Sequence, residues 1–378
     1  MKTIVFTAQA FGFGPVSKML AISENISGIR KIFFGSGVSY DLAKQHCFDS
    51  IHYVEQNESS RIISILSQCD LFINVMDFSI SALAKLAGCP YVLVDSLLWF
   101  WPDLPAGIRE ADIYFCQNFF ESIEYKINKY GLSNAHIIGP VISEDFRKNS
   151  RINQVIVNFG GMENPYVTVG KNSNYPFIIL KNILPVLKQE FSHILVTGRE
   201  KILKICRTIF PESKTLKFKM LNQKQMLEEL YQSKAMFTAP GIQSFYDAAD
   251  KLPIFCLPPQ NNSNLRNLQL LIRHGAIKNY FQWDDLLPEN TLNSSSFDRQ
   301  EMDIVLKMIR LFENEKTIQH LFKKKVTAFL TDKANWSNLI KAQKKSLENL
   351  GENGTKTIIK HIHQILREQT CQYSINTG

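Results

Sequence analysis

Residues 234–257 read KAMFTAPGIQSFYDAADKLPIFCL, and this stretch decides the fold. An apolar run, Lys234–Thr238, breaks at Ala239-Pro240-Gly241. A segment with helical spacing follows, Ile242–Asp250, and then a second apolar run, Pro253–Leu257. Near-continuous apolar runs on either side of a helix mark parallel strands buried on both faces, the βαβ unit.

The same alternation extends in both directions. Upstream, Gln154–Phe159 reads as a buried strand ending in Gly160-Gly161. It is followed by a helix over Phe177–Gln189, strands at His193–Thr197 and Leu216–Met220, and a helix over Gln223–Gln232. The first third repeats the pattern, with strands at Thr3–Ala8, Lys31–Ser36, Ser50–Glu55, Leu71–Met76, Pro90–Asp95 and Asp112–Gln117. Helices at Val16–Glu24, Arg61–Gln68 and Ser79–Gly88 lie between them. The polar stretch Ser143–Asn153 is the linker. From Asp298 onward the chain is helical and charged, and Thr355–Arg367 lines up Ile358, Ile359, Ile362, Ile365 and Leu366 at helical spacing. The sequence therefore predicts two doubly wound α/β domains, 1–143 and 154–352. Residues 353–378 form a terminal helix that closes the second domain or crosses back onto the first.

Composition narrows the function classes. The chain has 378 residues, 45% hydrophobic and 21% charged, as a globular protein does and a disordered or collagenous one does not. A net charge of +8 suits an anionic small molecule and does not by itself argue for a nucleic-acid polymer. Cys47, Cys69, Cys89, Cys116, Cys206, Cys256 and Cys371 form no C-x-x-C pair, so they read as buried free thiols in a reducing compartment, with no zinc site. No apolar stretch approaches the roughly 18 residues that span a bilayer, and MKTIVFTAQAFG reads as a strand and turn rather than a leader. A cytoplasmic location is expected.

Ligands of open parallel sheets collect beyond the carboxyl ends of the strands. Four loops there draw attention. The first holds Gly12, Phe13, Gly14 and Ser17 after the first strand, without the spacing of a dinucleotide fingerprint. The second, Asn158-Phe159-Gly160-Gly161-Met162-Glu163, offers bare backbone to a phosphate or sugar. The third starts a helix at Gly241, where the N–H groups of Ile242, Gln243 and Ser244 suit a phosphate and Asp247 lies about one and a half turns on. The fourth, Leu257-Pro258-Pro259-Gln260-Asn261-Asn262-Ser263-Asn264-Leu265-Arg266-Asn267, is rich in amides, which suit sugar hydroxyls. In the first domain Asp95 ends a strand, and Trp99 and Trp101 offer indole faces to a planar base or sugar.

The order of small-residue helix start, acid, proline, apolar strand, proline and amide loop over 235–270 resembles the nucleotide-sugar half of GT-B glycosyltransferases. In organisation the similarity covers about 1–275. It implies two Rossmann-like domains facing a central cleft, with a UDP-sugar held by the second and a small acceptor by the first. It makes Gly241, Ile242, Gln243 and Ser244 the diphosphate-binding helix start, Asp247 the ribose ligand, and Gln260 and Asn261 sugar contacts. Gly160, Gly161 and Arg199 complete the donor site. Phe11–Lys18 and Val94–Pro102 look like the corresponding stretches of cytosylglucuronate synthases, which implies UDP-glucuronate as donor and cytosine as acceptor. Asp95 is then the candidate for acceptor deprotonation, with Glu163 as the second candidate. Gly12, Phe13, Gly14, Ser17, Trp99 and Trp101 form the acceptor side. No metal and no cofactor beyond the UDP-sugar co-substrate is expected. The chain departs from the family at Pro15, where many inverting relatives carry a histidine base, and at Asn264, where a glutamine is common. Hydrolysis or epimerisation of a nucleotide sugar, and binding without chemistry, stay open as alternatives.

Overall fold

A computed structural model of the chain describes residues 1–376 except 11, 145, 163–168, 172 and 287–298, with backbone alone at 284–285, 299–300 and 369–376. The chain forms two compact units, residues 1–144 with 350–378 and residues 145–349.

The first unit begins β1 (Thr3–Ala8), α1 (Phe13–Glu24), β2 (Arg30–Gly35), α2 (Gly37–Ala43), β3 (Ser50–Tyr53) and α3 (Ser59–Leu66). It continues β4 (Leu71–Val75), α4 (Ser81–Leu86), β5 (Tyr91–Asp95), β6 (Ile113–Gln117), α5 (Ile123–Tyr130) and β7 (Ala135–Ile138). Its seven strands are ordered β3-β2-β1-β4-β5-β6-β7, and every pairing is parallel. Strands β1, β4 and β5 are buried at every position, as central strands covered by helices on both faces must be.

The second unit runs β8 (Gln154–Asn158), α6 (Tyr175–Glu190), β9 (His193–Thr197), α7 (Glu200–Ile209), β10 (Leu216–Lys219), α8 (Gln223–Gln232) and β11 (Ala235–Thr238). Then come α9 (Ile242–Ala248), β12 (Ile254–Cys256), α10 (Asn262–Arg273), α11 (Arg299–Asn314), α12 (Lys316–Thr331) and α13 (Trp336–Glu348). Five parallel strands are ordered β10-β9-β8-β11-β12. In each sheet the order reverses beside the first strand, between β1 and β4 and between β8 and β11. These are the two switch points at which the crevice for a ligand opens. The core of the second unit joins the sheet to α11 and α12 through a stack of rings, including Phe255, Phe281, Phe312, Phe322 and Phe329.

The last helix, α14 (Gly354–Asn376), belongs to the first unit. It enters where two backbones touch. A Cβ at Gly139 would lie 1.9 Å from the Glu352 carbonyl oxygen, and one at Gly354 would lie 2.4 Å from the Gly139 carbonyl oxygen. Gly354 N–H donates to Pro140 O at 2.9 Å, and Asn353 Nδ2 and Thr355 Oγ1 both donate to Ile142 O at 3.1 Å.

One expectation about the cysteines is corrected. Cys69 and Cys89 form a disulfide, because the turns that lead into β4 and β5 lie side by side and each carries a cysteine. Cys116, Cys206 and Cys256 are buried free thiols and Cys47 is exposed. Burial pushes the thiols of Cys116 and Cys206 up to about 12, so neither ionises near neutrality. With the bonded pair 20 positions apart in sequence, loop entropy assigns the crosslink about 3 kcal/mol. Reduction, or Cys69→Ser, should lower the unfolding free energy of the first unit by about that amount in a denaturant titration. Gly139→Ala should destabilise the same unit by forcing the two backbones apart.

Candidate functional site

At the switch point of the second unit one side chain joins four segments. Asn158 ends β8, and its amide is used to capacity, two donors and two acceptor lone pairs. Its Nδ2 donates to Thr238 Oγ1 at 3.2 Å and to Ser244 Oγ at 3.0 Å. Its Oδ1 accepts from Thr197 Oγ1 at 3.0 Å and from Gly160 N–H at 3.0 Å. Thus β8, β9, β11 and the first turn of α9 are tied at their carboxyl ends, and the turn at Gly160 is pinned. Gly160 has φ +64°, and a Cβ there would meet nothing within 4 Å, so its backbone is open to approach.

The amide loop completes this rim. Asn264 Nδ2 and Asn267 Nδ2 both donate to Pro240 O at 3.0 Å, fixing the turn that places Gly241 before α9. Gln260 Nε2 donates to Phe159 O at 3.2 Å. Asn261 caps α10 by accepting from Asn264 N–H at 2.8 Å, and Trp283 Nε1 holds Pro259 O at 2.8 Å. Behind the rim, the buried Gln343 of α13 accepts from Ile254 N–H at 3.1 Å and donates to Ala249 O and Leu252 O at 3.1 and 2.9 Å, securing the turn between α9 and β12.

The donor-side residues expected from the sequence fall on this rim in different ways. Gly160, Gly241, Asn261 and Arg199 are half-buried, Arg199 at the start of α7 on the loop after β9. Gly161, Ile242, Gln243 and Gln260 are buried, and Ser244 Oγ is engaged by Asn158. No side chain caps α9. Asp247 requires a correction. It is 4% exposed, and its two oxygens accept from Gln243 Nε2 at 2.9 Å and Gln223 Nε2 at 3.1 Å. At that burial it presents little surface to a ribose. Its role in this structure is to lock α9 against α8. Glu163 lies outside the described residues. Sequence reasoning placed Asn158, Thr197 and Thr238 at strand ends but gave none of them a role; their one signal was a polar residue closing each apolar strand.

In the first unit Asp95 also departs from expectation. It is fully buried, and its carboxylate accepts from Leu97 N–H at 2.7 Å, Tyr114 Oη at 2.9 Å and Trp101 Nε1 at 3.2 Å. Burial pushes it up to about 6, against those three hydrogen bonds and the nearby Lys18 charge. It anchors the loop after β5 and presents no open carboxylate to an acceptor. Trp99 Nε1 donates to Ser96 O at 3.1 Å. Its ring packs 5.4 Å from Phe119, and Trp101 packs edge-on to Phe78 at 5.7 Å. Both indoles are half-buried within this aromatic ladder. Gly12, with φ +78°, precedes α1, which starts at Phe13 and Gly14 and buries Ser17 and Lys18.

The turn after β4 was not singled out by the sequence. Met76 has φ +65°, unusual for a residue with a side chain. The following Asp77 is held through its backbone by the fully buried Asn74: Asp77 N–H donates to Asn74 Oδ1 at 3.0 Å, and Asn74 Nδ2 donates to Asp77 O at 2.8 Å. Asp77 is itself 6% exposed. Ser79 Oγ donates to its Oδ1 at 2.6 Å, and Gln56 Nε2 reaches Oδ1 at 3.0 Å and Oδ2 at 3.2 Å. Burial holds this carboxyl above its usual range, with the bonds from Ser79 and Gln56 opposing. Among the described residues no group of three or more His, Cys, Asp or Glu is arranged to hold a metal ion, and no helix is long and apolar enough to cross a membrane.

Solved structures give this architecture a name. S. aureus MnaA in complex with UDP is similar with a TM-score of 0.54 at 12% identity, over 97% of this chain and 97% of that chain. UDP-GlcNAc 2-epimerase from Neisseria meningitidis, bound to UDP-GlcNAc, gives 0.53 at 11% identity over 96% and 100%. Arabidopsis thaliana UGT89C1 complexed with UDP gives 0.52 at 10% identity over 98% and 99%. No protein-family model matches the chain, and no curated protein matches it in sequence. The likeness is one of fold: the chain has the two-domain, Rossmann-like GT-B architecture.

The burial of Asp95 has a measurable sign. A carboxyl raised in the folded state contributes stability that is full below its unfolded value near 3.8 and lost as pH rises through about 6. At about 1.4 kcal/mol per pH unit, the wild type should lose about 2 kcal/mol relative to Asp95→Asn between pH 4 and pH 7. Denaturant titrations of both proteins across that range check this.

Proposed function

We propose that this chain is a UDP-sugar-dependent GT-B enzyme that transfers a hexosyl group to a small acceptor. The observation that carries the reading is the rim built on Asn158, which gathers the bare backbone of Gly160 and Gly241 at the switch point of the second sheet. With no side chain at either glycine, an anionic diphosphate could approach the N–H groups of Ile242, Gln243 and Ser244 in the first turn of α9 without a competing carboxylate, since Asp247 is turned to its own amide partners. The UDP and UDP-GlcNAc in solved structures of the same fold support this assignment.

In this reading the N–H groups of Ile242, Gln243 and Ser244 stabilise the charge that develops on the departing diphosphate, while the Gly241 N–H is turned to Ala239 O at 2.7 Å. Donors of this kind supply about 2.7–4 kcal/mol each in other enzymes. Arg199, on the adjacent loop, adds a positive charge, so the step needs no metal ion and no further cofactor. Gln260 and Asn261 lie on the sugar side. UDP-glucuronate and cytosine form the finer reading, supported by the resemblances of 11–18 and 94–102 to cytosylglucuronate synthases. Pro15, which stands where many inverting relatives carry a histidine base, supports binding without chemistry; the other reading is epimerisation or hydrolysis of the nucleotide sugar. The epimerase of like fold agrees with it.

UDP should raise the unfolding free energy by about 2.7 kcal/mol at a hundredfold excess over its Kd, read as a thermal shift. Gly241→Val should remove most of that gain, because a Cβ there already stands 3.3 Å from Ser244 Oγ. Absence of any shift with UDP would end the nucleotide-sugar reading. Across UDP-glucose, UDP-GlcNAc and UDP-glucuronate, UDP released only with an acceptor marks transfer. UDP released without one marks hydrolysis, and a changed sugar without release marks epimerisation.

A further inference from the structure

The chain's positive charge is concentrated on two successive helices of the second unit. Residues 316–348, which hold α12 and α13, carry eight lysines against two acids, Asp332 and Glu348. That is a net +6 in this segment, out of +8 for the whole chain, so the rest is close to neutral. Both helices turn their apolar sides inward. α12 buries Phe322, Val326, Phe329 and Leu330, α13 buries Leu339, and Trp336 stacks on Phe329 at 5.5 Å. The lysines take the other side. Lys316, Lys323 and Lys324, with His320, recur at the three- and four-residue steps of one face of α12, and Lys341, Lys344 and Lys345 do the same on α13. All of these are exposed.

Few of these charges are neutralised. Lys333 pairs with Glu190 at 2.6 Å and Lys344 with Glu348 at 3.7 Å, and Lys325 lies over the rings of Tyr280 and Phe281. Lys316 follows Glu315 directly in sequence. Among the described residues no carboxylate pairs with Lys323, Lys324, Lys341 or Lys345. Lys341 and Lys345 stand four positions apart, where like charges repel and weaken a helix. A face that carries this repulsion is suited to an anionic partner, which would relieve it.

The chemistry of the face selects the partner. Residues 316–348 include no arginine, and no large hydrophobic side chain among them is exposed. Proteins that bind nucleic acid add guanidinium forks and aromatic platforms to their positive charge, and this face has neither. Lysine by itself supplies compact charge with no planar geometry, and a bilayer rich in anionic lipid attracts such charge without further contacts. We infer that α12 and α13 dock the protein on an anionic phospholipid surface, with Lys323, Lys324, Lys341 and Lys345 against the headgroups. No exposed apolar side chain enters the acyl region, so the association is electrostatic and salt reverses it. The inference is independent of the nucleotide-sugar reading, since it uses none of the residues of the rim at Asn158.

Co-sedimentation of the full chain with large vesicles tests this, using phosphatidylcholine alone and phosphatidylcholine mixed with phosphatidylglycerol. Binding is expected to the anionic vesicles at low salt and not to the neutral ones. It should be lost in about 1 M potassium chloride, where the screening length falls to about 3 Å. One lysine near an anionic surface contributes about fivefold to partitioning. The combined variant Lys323→Gln, Lys324→Gln, Lys341→Gln, Lys345→Gln should therefore bind at least a hundredfold more weakly, with no fall in melting temperature. A control that removes the same charge from exposed lysines elsewhere, Lys85→Gln, Lys129→Gln, Lys204→Gln, Lys214→Gln, should keep most of the wild-type binding. Equal binding to both kinds of vesicle, no binding at low salt, or equal losses in the two variants would each overturn the inference. Tighter binding to a duplex RNA than to the anionic vesicles at the same salt, abolished by the first variant, would also overturn it and give the face to nucleic acid. No arm contains a nucleotide, so a failure to bind UDP leaves this result untouched.

Discussion

The amide of Asn158 is the contact on which the second unit's ligand face depends. Parallel strands bring their carboxyl ends to one edge, but nothing in strand pairing fixes the loops beyond that edge. Here one neutral side chain, with all four hydrogen-bonding positions filled, ties three strand ends and the first turn of α9. An amide suits this position because it donates and accepts at once. A carboxylate could not donate to Thr238 and Ser244, and its charge would oppose the anion proposed for the rim. Asn264, Asn267 and Gln260 repeat the device on backbone carbonyls, so the rim is held rigid without net charge.

The two units place their buried acids differently. In the second, Asp247 is enclosed between two glutamine amides on the flank of α9, away from the bare backbone at Gly160 and Gly241. In the first, Asp95 and Asp77 both follow central strands at the carboxyl edge of the sheet. Asp95 is saturated by a main-chain N–H, a phenol and an indole and has become structural. Asp77 sits against a cavity and an unmatched hydroxyl. Two acids near the ends of neighbouring strands thus differ in what surrounds them: Asp95 is saturated by donors, and Asp77 lines a cavity of about 10 Å³.

Much of the fold was legible from residue order, and the reason is local. β9 and α8 have the expected bounds, and β1, β4, β5, β8 and β11 differ by at most a residue, because a fully apolar strand between helices has few other readings. Strand β7 and helices α2, α5 and α7 were missed. β7 is an edge strand with exposed His136 and Ile137, so it lacks the apolar signal, and α2 and α5 are one or two turns long. The loops at the carboxyl ends of the second unit's strands were legible because glycine and amide clusters mark strand-end turns. The site's finer geometry was not. Whether a carboxylate after a strand is open or saturated depends on residues such as Tyr114 and Gln223, 19 and 24 positions away, and no local pattern encodes that. The cystine was hidden in the same way, since two turns 20 residues apart meet only once the sheet exists.

The return of residues 350–376 to the first unit sets an order on synthesis. The sheet of that unit is complete by residue 138, yet the helix packed on it is made roughly 200 residues later. At about 5–20 residues per second, the nascent unit waits roughly 10–40 s with one surface uncovered, while the second unit emerges whole and can fold in between. A ribosome stalled anywhere in that interval holds a finished seven-stranded sheet while the five-stranded one is still incomplete.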